Sequence, residues 1–510
     1  MNQFPWLTVI GLIPLIGALV LWAVPSLADR AKQIALGASL VTLVFAVAAA
    51  TQFRADATTK FQLVETHPWI PQFGVSYALG VDGIALALIL MSVILVPICL
   101  LAAWHDLPSE QAHRERHYFA LMLVLETFMV GVFAATDVFL FYVFFEAMLI
   151  PVYFLIGQFG GQRRQYAAVK FLLFSLAGGL IMLAAVIALY VQGPGGSDGF
   201  LLSRLTGLPL DASTEKWIFV GFFIAFAVKA PMVPVHTWLP DAAGESRPAT
   251  ATLLVGVLDK VGTYGMIRFC VELFPGASQW ATPLVVVLAL ISIIYGALLA
   301  IGQKDMMRLI AYTSVSHFGF IVLGIFAFTS TAWAGSSLYM VNHGFSTAAL
   351  FLFAGMLIAR RGSKRIADFG GWQRVVPGLA GVWLIAGLSC IALPGLGSFI
   401  SEFLVLAGAF QRHQVIAVIA TTGIILAALY ILLLYQRTMT GPKPDNAAEV
   451  PDLSLREKWV AVPLVALFLV LGFYPKPVLD LINPAVQTIL TSVHVTDPAP
   501  VVGSAEGSAK

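Results

Sequence analysis

Six ionisable side chains sit where apolar neighbours make charge most costly. Glu146 lies inside the apolar run 139–151, and Lys229 sits two residues before Pro231. Lys260 is central in 253–262, Glu402 follows the stretch Leu393, Pro394, Gly395, and His317 and His343 each lie well inside their own apolar segments. A charge at the centre of a membrane helix costs about 2.5–3.5 kcal/mol on insertion scales, so each of these residues requires an explanation. A single one is explained by a structural ion pair, such as Glu146 with Lys229. Lys, Glu and His spread over six helices, some of them broken, form instead the kind of series along which protons move. Burial favours the neutral forms of Lys and Glu and pairing favours the charged forms, so a Glu–Lys pair that forms and separates changes its hold on a proton. Histidine titrates near neutrality without such help. Metal binding would want convergent ligands at helical spacing, and no HxxxH or ExxH pattern falls in these segments.

Other polar residues read differently. Glu126 is deep enough to join the relay, and His236, just after Pro234, is placed either to collect protons or to hydrogen-bond a broken turn. Lys170, near the edge of its segment, is expected to snorkel, and with Glu126 and His236 it makes up a candidate secondary proton path. Asp82, Asp137 and Asp241 fall at helix ends, where caps and loop contacts are expected. Asp259 points to a different helix face from Lys260 and need not pair with it.

The elements that carry these residues are membrane helices. Of the 510 residues, 59% are hydrophobic and 11% charged, against about 25% charged in ordinary soluble chains. About fourteen segments are long and apolar enough to cross a bilayer. The net charge of +2 and the lack of basic runs interleaved with aromatics give no sign of nucleic-acid binding. Cys99, Cys270 and Cys390 lie in separate apolar stretches without CxxC spacing, so no metal or redox cofactor is expected on the chain. The glycine-rich stretch 193–199 reads as a loop, since no strand precedes it.

Segment 217–239 contains Pro231 and Pro234, and segment 376–412 is overlong and contains Pro394, so both are expected to be interrupted near mid-membrane. Each break falls on the fourth helix of a group of five. The expected architecture is therefore all-α: three N-terminal helices (1–116), a five-helix repeat (117–274), a second, inverted five-helix repeat (280–437), a final helix (438–476), and an outer segment with a disordered tail (477–510). Lys and Arg crowd the loops that include Arg30, Arg163, Arg164, Arg360, Arg361 and Lys364, which orients the chain with both termini outside.

Five stretches carry a family resemblance. They hold Lys229, Pro231, Pro234, His236, Trp238, Pro240 and Asp241; Phe144, Phe145, Glu146 and Pro151; Lys260, Gly262, Tyr264, Gly265 and Arg268; Gln303, Asp305, Arg308, Tyr312 and His317; and His343, Gly344, Ser346 and Phe351. Over about 81–435 the chain resembles the antiporter-like membrane subunits of respiratory complex I, a proton-pumping NADH:quinone oxidoreductase. Within that family Glu402 stands where neighbouring subunits usually carry Lys, and the absence of a long lateral C-terminal helix differs from the largest subunit.

The resemblance implies a bacterial cytoplasmic-membrane protein flanked by other membrane-arm subunits, including paralogous antiporter-like ones. It implies that NADH, FMN, iron–sulfur clusters and quinone belong to other subunits. It also implies a path: entry from the inner side, loading at Lys229 under the influence of Glu146, lateral passage through Lys260, His317 and His343, and release at Glu402. Subunits of cation/proton antiporters and of membrane-bound hydrogenases share the pattern, and a scaffold whose charges only hold helices together is the alternative from another class. The chain departs from the family at Ala243, usually His, at Arg247, usually Pro, and at Asp259, usually apolar.

Overall fold

Runs of Leu, Val, Ile, Ala and Phe without charge form helices here because a helix satisfies its own backbone hydrogen bonds where water is absent. The computed structural model describes residues 4–57, 59–107, 112–444 and 450–499. Its helices are α1 (Trp6–Ala23), α2 (Ala31–Gln52), α3 (Gly83–Ala102), α4 (Ala112–Ala134), α5 (Val138–Ala147), α6 (Leu149–Phe159), α7 (Arg164–Gln192), the single turn α8 (Leu202–Leu205), α9 (Ala212–Lys229) and α10 (Trp238–Glu245). There follow α11 (Pro248–Leu253), α12 (Asp259–Gly265), α13 (Pro275–Ile301), α14 (Met306–Phe326), α15 (Ser330–Arg361), α16 (Pro377–Cys390), α17 (Gly397–Phe410), α18 (Gln414–Met439), α19 (Leu455–Phe473) and α20 (Lys476–Ser492).

Among the described residues ten helices are long and apolar enough to cross a membrane, or eleven when the bent pair α19–α20 counts as one. The other expected crossings fall on helices in pieces. Segment 217–239 stops at Lys229 and resumes at Trp238, and segment 376–412 splits into two 14-residue helices. Two interruptions were not expected. α5 and α6 part at Met148, three residues before Pro151. The stretch 248–271 contains π-helical turns at Leu254–Leu258 and Met266–Val271 on either side of α12.

Burial sorts the helices. α3, α4, α14 and α15 are 83–94% buried along their most apolar windows, whereas α1, α2, α7, α13 and α18 are only 28–44% buried and present side chains such as Val44, Ile187, Leu284 and Ile425 outward. Glu126, His317 and His343 thus ride on the central helices.

The fold is all-helical apart from one hairpin: strands β1 (Gln62–Ile70) and β2 (Val75–Val81) pair antiparallel, and the reversal uses Gly74 at φ +73. The segment after 476, expected as an outer extension, contains α20, which bends 66° from α19 and buries Ile482, Ala485, Val486, Ile489 and Leu490. Of the tail expected to be disordered, Asp497 accepts from the Ser330 amide at 2.7 Å, and 500–510 lie outside the described residues.

Candidate functional site

α9 delivers Lys229 at its last residue, where the negative end of the helix dipole favours a cation. Trp238 donates its indole N–H to the Val228 carbonyl at 2.9 Å, satisfying one carbonyl that the break leaves open. Lys229 is 1% exposed, its Nζ has no hydrogen-bond partner among the described residues, and the rings of Phe145 and Phe171 lie 5.0 and 5.6 Å from it. Glu146, in the last turn of α5, is half-buried, and no ion pair within 4.0 Å joins it to Lys229. Its carboxylate rests on the backbone of Gly179 in α7, where an added Cβ would overlap it. The two groups are therefore neighbours held apart.

Lys260 begins a connected series. Its Nζ donates to the Val255 carbonyl in the π turn and lies 2.7 Å from His343 Nδ1. The other ring nitrogen of His343 is 3.1 Å from Thr347 Oγ1. The His343 and His317 rings are 5.2 Å apart between centroids, and the His317 and Tyr339 rings 6.0 Å. Tyr339 then donates its hydroxyl to Glu402 Oε2 at 2.9 Å. His317 Nε2 is also 3.1 Å from the Tyr430 hydroxyl. Lys260, His317, His343, Tyr339 and Glu402 are each less than 5% exposed. Every link is a group able to carry a proton, and four separate helices supply them.

Glu402 sits in the second turn of α17, just past the break at 391–396, where Gly395 takes φ +91. Asn342 secures the start of α17 by donating to the Gly397 carbonyl at 2.6 Å and to Ser401 Oγ at 3.2 Å. A cavity of about 550 Å³ opens beside the break, lined by Leu393, Pro394, Phe399, Phe403 and Leu406, with Glu402 in its wall.

The remaining candidates lie outside this series. Glu126 is fully buried on α4, with neither carboxylate oxygen partnered among the described residues. His236 is 4% exposed, with its ring 5.7 Å from that of Tyr295 and 6.4 Å from that of Tyr312. Lys170, expected to snorkel, instead pairs with Asp241 at 2.6 Å, and Arg308 binds the other oxygen of the same carboxylate. Asp241 is thus the centre of an ion-pair cluster rather than a simple end contact. Asp82 and Asp137 cap α3 and α5 by accepting from Ala85 and Leu140 amides, both at 2.9 Å, and Asp82 also pairs with Arg268. Arg247 ties loops together by donating to the Phe159 and Asp106 carbonyls, each at 2.8 Å.

Sequence reasoning missed Tyr339 and Tyr430. Tyr339 had a signal: it stands four residues before His343, which stands four before Thr347, so one face of α15 bears all three. Among the described residues no three His, Cys, Asp or Glu side chains converge as a metal site requires.

Residues 135–427 match the protein family described as NADH:quinone oxidoreductase/Mrp antiporter, TM, and 39–132 match NADH-ubiquinone oxidoreductase chain 4, amino terminus. The chain is 51% identical to NADH-quinone oxidoreductase subunit M of Mycobacterium tuberculosis, over 98% of this chain and 97% of that one. Its fold is similar to a chain of respiratory complex I from Thermus thermophilus, with a TM-score of 0.86 and 32% identity over 96% of this chain and 99% of that one. The fold is also similar to a chain of the Mrp complex from Dietzia sp., with a TM-score of 0.85 and 23% identity over 97% of this chain and 100% of that one.

Proposed function

The chain belongs to the NADH:quinone oxidoreductase/Mrp antiporter family of membrane subunits, and from that premise we propose that it acts as the M-type subunit of a bacterial NADH:quinone oxidoreductase and moves protons across the cytoplasmic membrane. The observation that carries the proposal is the buried series from Lys260 through His343, His317 and Tyr339 to Glu402, hydrogen-bonded at its two ends and in ring-to-ring proximity between the histidines and Tyr339. A scaffold would need each charge locked to a partner. Here Lys229 and Glu126 have no hydrogen-bond partner among the described residues, and Glu146 stands near Lys229 without closing an ion pair.

In this reading protons reach Lys229 from the inner side past the first broken helix. Glu146 sets how tightly Lys229 holds them. They pass to Lys260, cross the two histidines and leave from Glu402 toward the outer side. The chain itself carries no electrons: NADH, FMN, iron–sulfur clusters and quinone are handled by other subunits, and energy arrives along the charged axis between neighbours. The same reading has about fourteen crossings, ten of them in two inverted five-helix units, 117–274 and 280–437, with the helix breaks in equivalent positions.

Substitution tests it. Lys229→Ala, Glu146→Ala and Glu402→Ala should each lower proton pumping in membrane vesicles by about a hundredfold, the scale on which loss of a proton-transferring group acts, while the complex still assembles. Full pumping in all three assembled variants would sink the reading. The likeness of fold to an Mrp chain favours a second reading, a cation/proton antiporter subunit. Co-purification with NADH-oxidising subunits separates the two.

A further inference from the structure

Asp259 is fully buried, and neither carboxylate oxygen has a hydrogen-bond partner among the described residues. An apolar side chain would fill this position in the helix at no cost, whereas an unpaired buried carboxyl group is expensive. Its direction supplies a reason. Successive residues of a helix point about 100° apart, so Asp259 and Lys260 face different neighbours. Lys260 turns toward α15 and His343. Gly262, three residues after Asp259 and so on the same side, abuts the end of α9, where a Cβ would overlap the Phe226 carbonyl and the Ala230 amide. Asp259 therefore looks toward the last turn of α9, which ends in Lys229. Lys229 and Lys260 both act on it electrostatically, and it and Glu146 are the two carboxylates acting on Lys229. No ion pair within 4.0 Å fixes it to either lysine.

We propose that Asp259 is a proton-carrying residue between Lys229 and Lys260, joining the first half of the path to the second. An N–H bond of the Lys229 ammonium breaks as an O–H bond forms on Asp259. That O–H then breaks as an N–H forms on the Lys260 amine, which restores the carboxylate. This step rests on the relay reading above, and its test separates the two.

The intact complex is prepared with Asp259→Asn, which keeps the shape and removes the ionisable group, with Asp259→Leu, with Asp259→Glu, and with Lys229→Ala as reference. Proton pumping is read per NADH oxidised, and assembly by NADH oxidation with an artificial acceptor. The Asn and Leu variants should assemble and lose pumping at least about tenfold, and Glu should restore at least half of it. Normal pumping in either assembled neutral variant, with Lys229→Ala inactive, overturns the role of Asp259 alone. Normal pumping in Lys229→Ala overturns the relay itself. If neither neutral variant assembles, infrared difference spectra of wild type and Asp259→Glu during turnover decide: a carboxyl stretch that moves between the two supports the proposal, and identical carboxyl regions overturn it.

Discussion

At the residue scale, ionisable types stand out in an apolar sequence and tyrosines do not. Glu146, Lys229, Lys260 and Glu402 were legible because each is costly where it lies. Tyr339 was not, since tyrosine is common in membrane helices and its partner Glu402 is 63 residues away. Yet Tyr339 makes the last link of the buried series. Tyr339→Phe keeps the ring against His317 and removes the donor to Glu402. Leaving a buried acceptor unsatisfied costs about 1–3 kcal/mol, and about 1.4 kcal/mol is tenfold in a rate. The variant should therefore pump about tenfold more slowly while assembling normally, as read by dye quenching in vesicles. Wild-type pumping would remove the hydroxyl from the path and leave Glu402 reached by another donor.

At the element scale, prolines announced two of the helix interruptions, because proline lacks the donor and clashes with the preceding turn. The π turns flanking α12 had no such marker. They lie where 248–271 packs against α9, α15 and α3, elements distant in sequence. The contact between α5 and α7 was equally hidden. Gly179 lets α7 approach Glu146 so closely that any side chain would displace the carboxylate. Gly179→Ala should accordingly move Glu146 and lower pumping severalfold, whereas Gly11→Ala, with open space around its position in α1, should do nothing. The comparison is made at equal assembled protein, by blue-native gels. Equal pumping in the two variants would mean that the position of the Glu146 carboxylate does not limit transport.

At the scale of the whole molecule, α20 is a helix that the sequence reading did not single out, although Ile482, Ala485, Val486, Ile489 and Leu490 follow the three-and-four spacing of a one-sided helix. Orientation across the membrane is a property of the whole chain as well, and its charge asymmetry leads to a direct prediction. Gln162 precedes α7, and Ser213 lies in the first turn of α9; both are exposed. One crossing, the 29-residue α7, separates them. At about 1.5 Å per residue it is long enough for a core of about 30 Å. From the excess of Lys and Arg near Arg163 and Arg164, Gln162 is expected inside and Ser213 outside. Cys99, Cys270 and Cys390 are buried, so background labelling should be low. A membrane-impermeant maleimide should then label Ser213→Cys in intact cells and Gln162→Cys only in inverted vesicles. The opposite pattern would invert the protein and turn the path from Lys229 to Glu402 around with it. Labelling of both from one side would mean that α7 does not cross.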